Sequence, residues 1–185
     1  MALSKYQRGL HMARIDASYT VLRDKALPGQ IADTSLYNVD GACAADVVVP
    51  VGKFVFALAP SATDNPEGLY KRVTPINSGA LKIVGVAVIS QAHAPDWQYD
   101  EGSAVNVLTH GRVWVEVPVA TTLAQVAFDT AVVVNATGDV KLAAAAAGDT
   151  TTAYRFTGEL VAHKLDATKR LAKIQLVQSG ASVIA

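Results

Sequence analysis

The side chains best suited to hold a metal or to act as nucleophile and base are four histidines (His11, His93, His110 and His163) and one cysteine, Cys43. No two histidines stand at an H-x3-H spacing, and Cys43 has no CxxC partner, so a zinc site would need ligands gathered from distant positions. The chain has no GxGxxG or Walker-type glycine loop to cradle a phosphate and no G-x-S-x-G elbow to raise a serine nucleophile. Its aspartates fall mostly in turns, where the carboxylate bonds its own backbone. The expectation is a protein with no catalytic residues, no metal and no cofactor.

The informative residues are those suited to contact. Trp114 lies between Arg112 and Glu116 at alternate positions, the composition of an interface hot spot. The other reading is that a strand or the N-terminal segment covers the indole within one subunit. His110, in Thr109-His110-Gly111-Arg112, reads either as a surface histidine beside a bulge or as a polar contact to a neighbouring subunit. Trp97 and Tyr99 sit in a loop, where they could pack on a barrel rim or serve a partner. Cys43, flanked by alanines, reads as a buried small hydrophobe.

These residues must be positioned by strands. Val, Ile and Thr supply 46 of the 185 residues, and such β-branched side chains pack well on a pleated surface. From Val105 to Val119 the valines at 105, 107, 113, 115, 117 and 119 share one parity, predicted to face a core. Asn106, Leu108, His110, Arg112, Trp114 and Glu116 take the other, facing water or a partner, and Gly111 marks a bulge or a break. The segment Leu81 to Ile89 is apolar on both parities and predicts a strand covered on both faces. Ala131 to Val134 and Val140 to Leu142 flank Asn135-Ala136-Thr137-Gly138-Asp139 as a hairpin. Phe156 to His163 and Leu171 to Val177 form a second antiparallel pair, and Val47 to Ala57 adds one or two strands. The alanine-rich stretch Ala143 to Thr152 is predicted as a loop. The sum is an all-β sandwich or barrel, jelly-roll-like, with an extended N-terminal arm.

The domain boundary is expected at residue 46: an arm and wrapped loop over 1–46, then a β domain over 47–185. The arm's first half is cationic, with Lys5, Arg8, Arg14, Arg23 and Lys25 against Asp16 and Asp24. Its apolar candidates for anchoring on a partner are Leu10, Met12, Ile15, Tyr19, Val21 and Leu22. Across the whole chain sixteen basic and sixteen acidic residues cancel, which gives no support for a dedicated nucleic-acid binder. With 51% hydrophobic and 17% charged residues, disorder over most of the chain is excluded. No apolar run reaches the roughly 20 residues of a membrane-spanning helix. Residues 1–10 have no apolar core of a signal peptide, so synthesis and folding are expected in a reducing cytoplasm.

Four stretches resemble the structural cement, or capsid decoration, proteins of tailed bacteriophages. They are Pro28-Gly29-Gln30-Ile31-Ala32-Asp33-Thr34, Asp40-Gly41-Ala42-Cys43, Val49-Pro50-Val51-Gly52 and Val107-Leu108-Thr109-His110-Gly111-Arg112-Val113-Trp114-Val115. The resemblance implies a small β-rich protein on the outer surface of an icosahedral head, bridging major capsid protein subunits as a dimer or trimer. It implies synthesis in a host bacterium, no enzyme activity, and no nucleic-acid or membrane partner. The alternative is a phage tail or fibre domain that binds carbohydrate, with Trp97 and Tyr99 as its loop aromatics. A third reading, a β-barrel metal enzyme, suffers from the missing histidine cluster.

Overall fold

The structure, a computed structural model, describes residues 26–59, 70–78, 81–90, 96–177 and 183–184. The arm candidates Arg8, Leu10, Met12, Arg14, Ile15, Tyr19, Val21, Leu22 and Arg23 lie outside the described residues.

Twelve strands are described: β1 (Asn38–Ala45), β2 (Val49–Pro50), β3 (Phe54–Ala57), β4 (Lys71–Thr74), β5 (Lys82–Ala87), β6 (Gln98–Tyr99), β7 (Ala104–Pro118), β8 (Ala131–Val134), β9 (Val140–Lys141), β10 (Thr150–Ala162), β11 (Lys169–Leu176) and β12 (Val183–Ile184). The pairing order β1-β4-β3-β5-β7 closes on itself, because β1 also pairs antiparallel with β7. Five strands thus form a ring. The order continues from β7 through β11, β10 and β8 to β9, giving a second sheet whose first strand is part of the ring. The all-β expectation holds, with both a barrel and a packed sheet present.

A five-stranded ring has a narrow interior, filled by small and β-branched side chains. Cys43 and Ala45 from β1, Val55 from β3, Val73 from β4, Ala87 from β5, and Val105 and Val107 from β7 form that cluster. Val49, Val51 and Tyr99, from the β2–β6 ribbon and its edge, complete it. The opposite faces of β3 and β5 carry Phe54, Phe56 and Val86 into a larger core against Val113, Val115, Val117, Phe156 and Ile174 of the second sheet. Phe54 stacks on Tyr154 across this junction, ring centroids 6.0 Å apart. Because β5 feeds both clusters, its segment is apolar on both parities, as predicted.

Strand β7 is continuous, and its alternation switches within the strand. Val105 and Val107 point into the ring, but Leu108 is fully buried in the inter-sheet core. Leu108 is therefore not outward-facing. Its pairing with β1 shifts between Asn38 and Val39, leaving an extra residue on β7 beside Gly111, whose φ is +116°. One added residue exchanges the faces. Beyond it Val113, Val115 and Val117 face the inter-sheet core as expected, while Val119 is exposed.

Two boundaries differ from the expectation. Residues 38–45 are a full member of the ring, so the segment before residue 46 is not wholly an arm. Thr150–Thr152 belong to β10, which shortens the alanine-rich loop.

Candidate partner-contact surface

The outward face of the second sheet brings together the residues that β7 alternation singled out. Arg112, Trp114 and Glu116 stand opposite Gln175, Lys173 and Leu171 of β11. The Arg112 guanidinium donates from Nε to Gln175 Oε1 at 2.9 Å and from Nη1 to Asp33 Oδ2 at 3.0 Å. Asp33 is held below the usual carboxylate range, chiefly by the Ser35 hydroxyl and then by Arg112. Lys173 places its ammonium 5.8 Å from the centre of the Trp114 ring and pairs with Glu159.

Trp114 is 6% exposed. It faces away from the inter-sheet core, but the chain itself covers it: Ala26 and Leu171 pack on it. The cover is a strap. Gly29 N donates to Trp114 O at 2.9 Å, Trp114 N to Gln30 O at 3.1 Å, and Ala32 N to Arg112 O at 2.8 Å. The strap satisfies the β7 edge left open by β11. Glycine is required at 29: its φ is +67°, and a Cβ would meet Val51 Cγ1 at 2.5 Å. The Pro28–Asp33 stretch is thus a strap on β7, and residues 1–25 join the described structure at Ala26, over Trp114. The open hot-spot reading of Trp114 gives way to intramolecular cover.

Glu116 is part of a polar cluster at the end of the same face. Its Oε2 accepts from Lys169 Nζ at 2.6 Å and its Oε1 lies 3.2 Å from His163 Nε2. His163 Nδ1 accepts the amides of Leu165 (3.1 Å) and Asp166 (2.8 Å), which places the ring proton on Nε2, facing Glu116. The Lys169 ammonium is held above its usual range: burial works against this, and Glu116 outweighs it.

His110 is half-buried beside the β7 bulge, and its Nδ1 finds no hydrogen-bond partner among the described residues. Trp97 is half-buried, packs against the ring cluster and has a left-handed backbone at φ +63°. Tyr99 is fully buried, its hydroxyl 2.5 Å from Val88 O. Both aromatics are turned toward the barrel, and Tyr99 lies on strand β6 instead of in the expected loop. Cys43 is buried in the ring, where desolvation and then Asp40 push its thiol up to about 11. Among the described residues no three His, Cys, Asp or Glu gather as a metal set.

Among the exposed apolar residues that the sequence reading did not single out are Leu36, Tyr37 and Phe128. Isolated apolar residues among turn formers look like any loop, so their only signal was their size.

Residues 15–177 match the family described as "Structural cement protein (E217 gp24/Pam3 gp6)". A search of curated proteins finds no match to the chain. Among solved structures, a chain of "The capsid of Myoviridae Phage XM1" is similar with a TM-score of 0.58 and 16% identity, over 85% of this chain and 94% of that one. At that identity the likeness is one of fold.

Proposed function

The chain belongs to the structural cement protein family, a family of structural phage proteins rather than enzymes, and from that premise we propose that it decorates the outside of a bacteriophage head and bridges neighbouring major capsid protein subunits. The observation that carries this reading is the extent of the family match, which takes in the strap, the ring and the second sheet. The two-layer body acts as a rigid block. The described body begins at Ala26, packed on Trp114, and residues 1–25 carry five basic and two acidic side chains with apolar residues spaced along their sequence. Laid along a seam, Leu10, Met12, Ile15, Tyr19 and Leu22 bury apolar surface while Arg8, Arg14 and Arg23 pair with carboxylates on the shell. Ordering such a segment costs entropy, which the buried anchors offset. Each contact is modest. Simultaneous engagement of several subunits by the arm and body makes the assembly resist opening more than any one contact does.

The carbohydrate-binding alternative loses its platform, because Tyr99 is buried and Trp97 packs on the barrel.

Deletion of residues 1–25 tests the reading. The cut stops there because Ala26 packs on Trp114. The shortened protein is expected to melt as the full chain does and to lose saturable binding to expanded heads. Undiminished binding would overturn the arm mechanism. Density away from subunit boundaries in an electron cryomicroscopy map of the particle would overturn the bridging role.

A further inference from the structure

A cleft of about 340 Å³ lies where the ring meets the second sheet, at the small end of the range for ligand pockets. Ile83, Val84 and Val177 give it an apolar wall. Tyr154 lines it from β10 and is 2% exposed, with its ring held by stacking on Phe54. The Tyr154 hydroxyl bonds to no described residue, and burial alone pushes its pKa up to about 12. Among the described residues, the side-chain polar atoms both sealed from solvent and unpartnered are His110 Nδ1 and Thr121 Oγ1. The Tyr154 hydroxyl is unpartnered without being sealed: it opens on the cleft. A second group there is half used. Asn38 Nδ2 donates to Thr109 Oγ1 at 2.8 Å and Thr109 Oγ1 donates to Asn38 O at 3.3 Å, which leaves Asn38 Oδ1 to accept from elsewhere.

We infer that this cleft binds one neutral sugar residue, through a hydroxyl that accepts from Tyr154 and donates to Asn38. A phenol hydroxyl with no protein partner adds nothing to the stability of the fold and is free to serve a ligand. A donor and an acceptor lining one cleft are answered together by a group that both accepts and donates, as a hydroxyl does. The charges at the cleft already cancel. Lys71 chiefly holds the Asp40 carboxyl below its usual range, and Asp40 holds the Lys71 ammonium above its own. An ionic ligand would have to break that pair, whereas a neutral one leaves it whole. The aliphatic wall takes the C–H face of a pyranose ring. No aromatic platform is involved, so the burial of Trp97 and Tyr99 does not bear on this site. The site stands without the capsid reading; only its use, attaching a particle to glycan, rests on that reading.

Nuclear magnetic resonance titration of the full chain tests the site. The probes are methyl glucoside, methyl galactoside, N-acetylglucosamine and rhamnose, each to about 50 mM, because two hydrogen bonds to one residue imply millimolar affinity. At least one probe is expected to shift the amides of Asn38, Val84 and Thr109 saturably. Tyr154→Phe is expected to weaken that binding about tenfold, the loss of one hydrogen bond. The same variant is expected to melt at or above the parent's temperature, because the hydroxyl bonds nothing in the fold. No saturable shift with any probe, shifts confined to other residues, or equal affinity in Tyr154→Phe would overturn the proposal. So would a Tyr154→Phe protein that melts well below the parent, since the hydroxyl would then be bonded within the chain. Loss of head binding by Tyr154→Phe without any response to sugars would also overturn it, because the cleft would then face the shell. Sugar binding at the cleft by a protein that never binds heads would instead sink the capsid reading and leave this site standing.

Discussion

Trp114 draws its environment from three directions: Ala26 above it, Leu171 beside it on β11 and the Lys173 ammonium over its ring. Truncating such a side chain removes packing on all of them. Trp114→Ala is expected to cost about 3 kcal/mol of stability. Urea denaturation checks this; a loss below about 1 kcal/mol would mean that the strap covers the indole without gaining from it. Period-two alternation placed Trp114 on the correct side of β7 and left its cover within one subunit as one of two readings, without identifying the strap. The strap is held by backbone amides and carbonyls of Gly29, Gln30 and Ala32, and such bonds have no side-chain signature. Cys43 was legible because its alanine neighbours match what a narrow ring admits.

At the level of elements, β5 pairs antiparallel with β7 within the ring, and the close approach of the two depends on Gly85. A Cβ there would lie 2.0 Å from Leu108 O and 2.8 Å from its carbonyl carbon, both backbone atoms that cannot swing aside. Gly85→Ala is expected to destabilise by about 3 kcal/mol or more, in the upper range of overpacking. Gly102→Ala is the control: nothing lies within 4 Å, and only its φ of +77° opposes the change, at about 1 kcal/mol. Comparable melting of the two variants would refute the close approach of β5 to β7. Regular strands such as β11, with Ala172, Ile174 and Leu176 inward, were readable from sequence. Strand β1 was not. Its Asn38–Ala45 sequence is rich in small residues, and its pairing with β7 shifts twice, so no alternation survives to be read.

For the molecule as a whole, ion pairs link segments far apart in sequence, hydroxyl bonds close local turns, and several aspartates are held below their usual range. Lys71 does this chiefly for Asp40, Lys141 for Asp149 and the Thr168 hydroxyl for Asp166, with the Ser35 hydroxyl and Arg112 acting on Asp33. A carboxyl with a depressed folded value contributes stability that is complete above the ordinary aspartate value of about 3.9 and is lost as pH falls through the folded value. Melting temperature is therefore expected to hold from neutrality to about pH 5 and to drop below about pH 4. Asp40→Asn should flatten the drop, since it removes the group that Lys71 acts on. Melting that does not change with acid would show that these carboxylates behave alike in the folded and unfolded chain.

The fifteen residues of β7 belong to the closed ring at one end and to the open sheet at the other. Fully extended they measure about 50 Å, and that length is covalent main chain. Tension applied between the two halves runs along this backbone instead of prying apart a noncovalent seam. In the proposed bridging role, the molecule would then give way first at its attachments, with its own midsection intact.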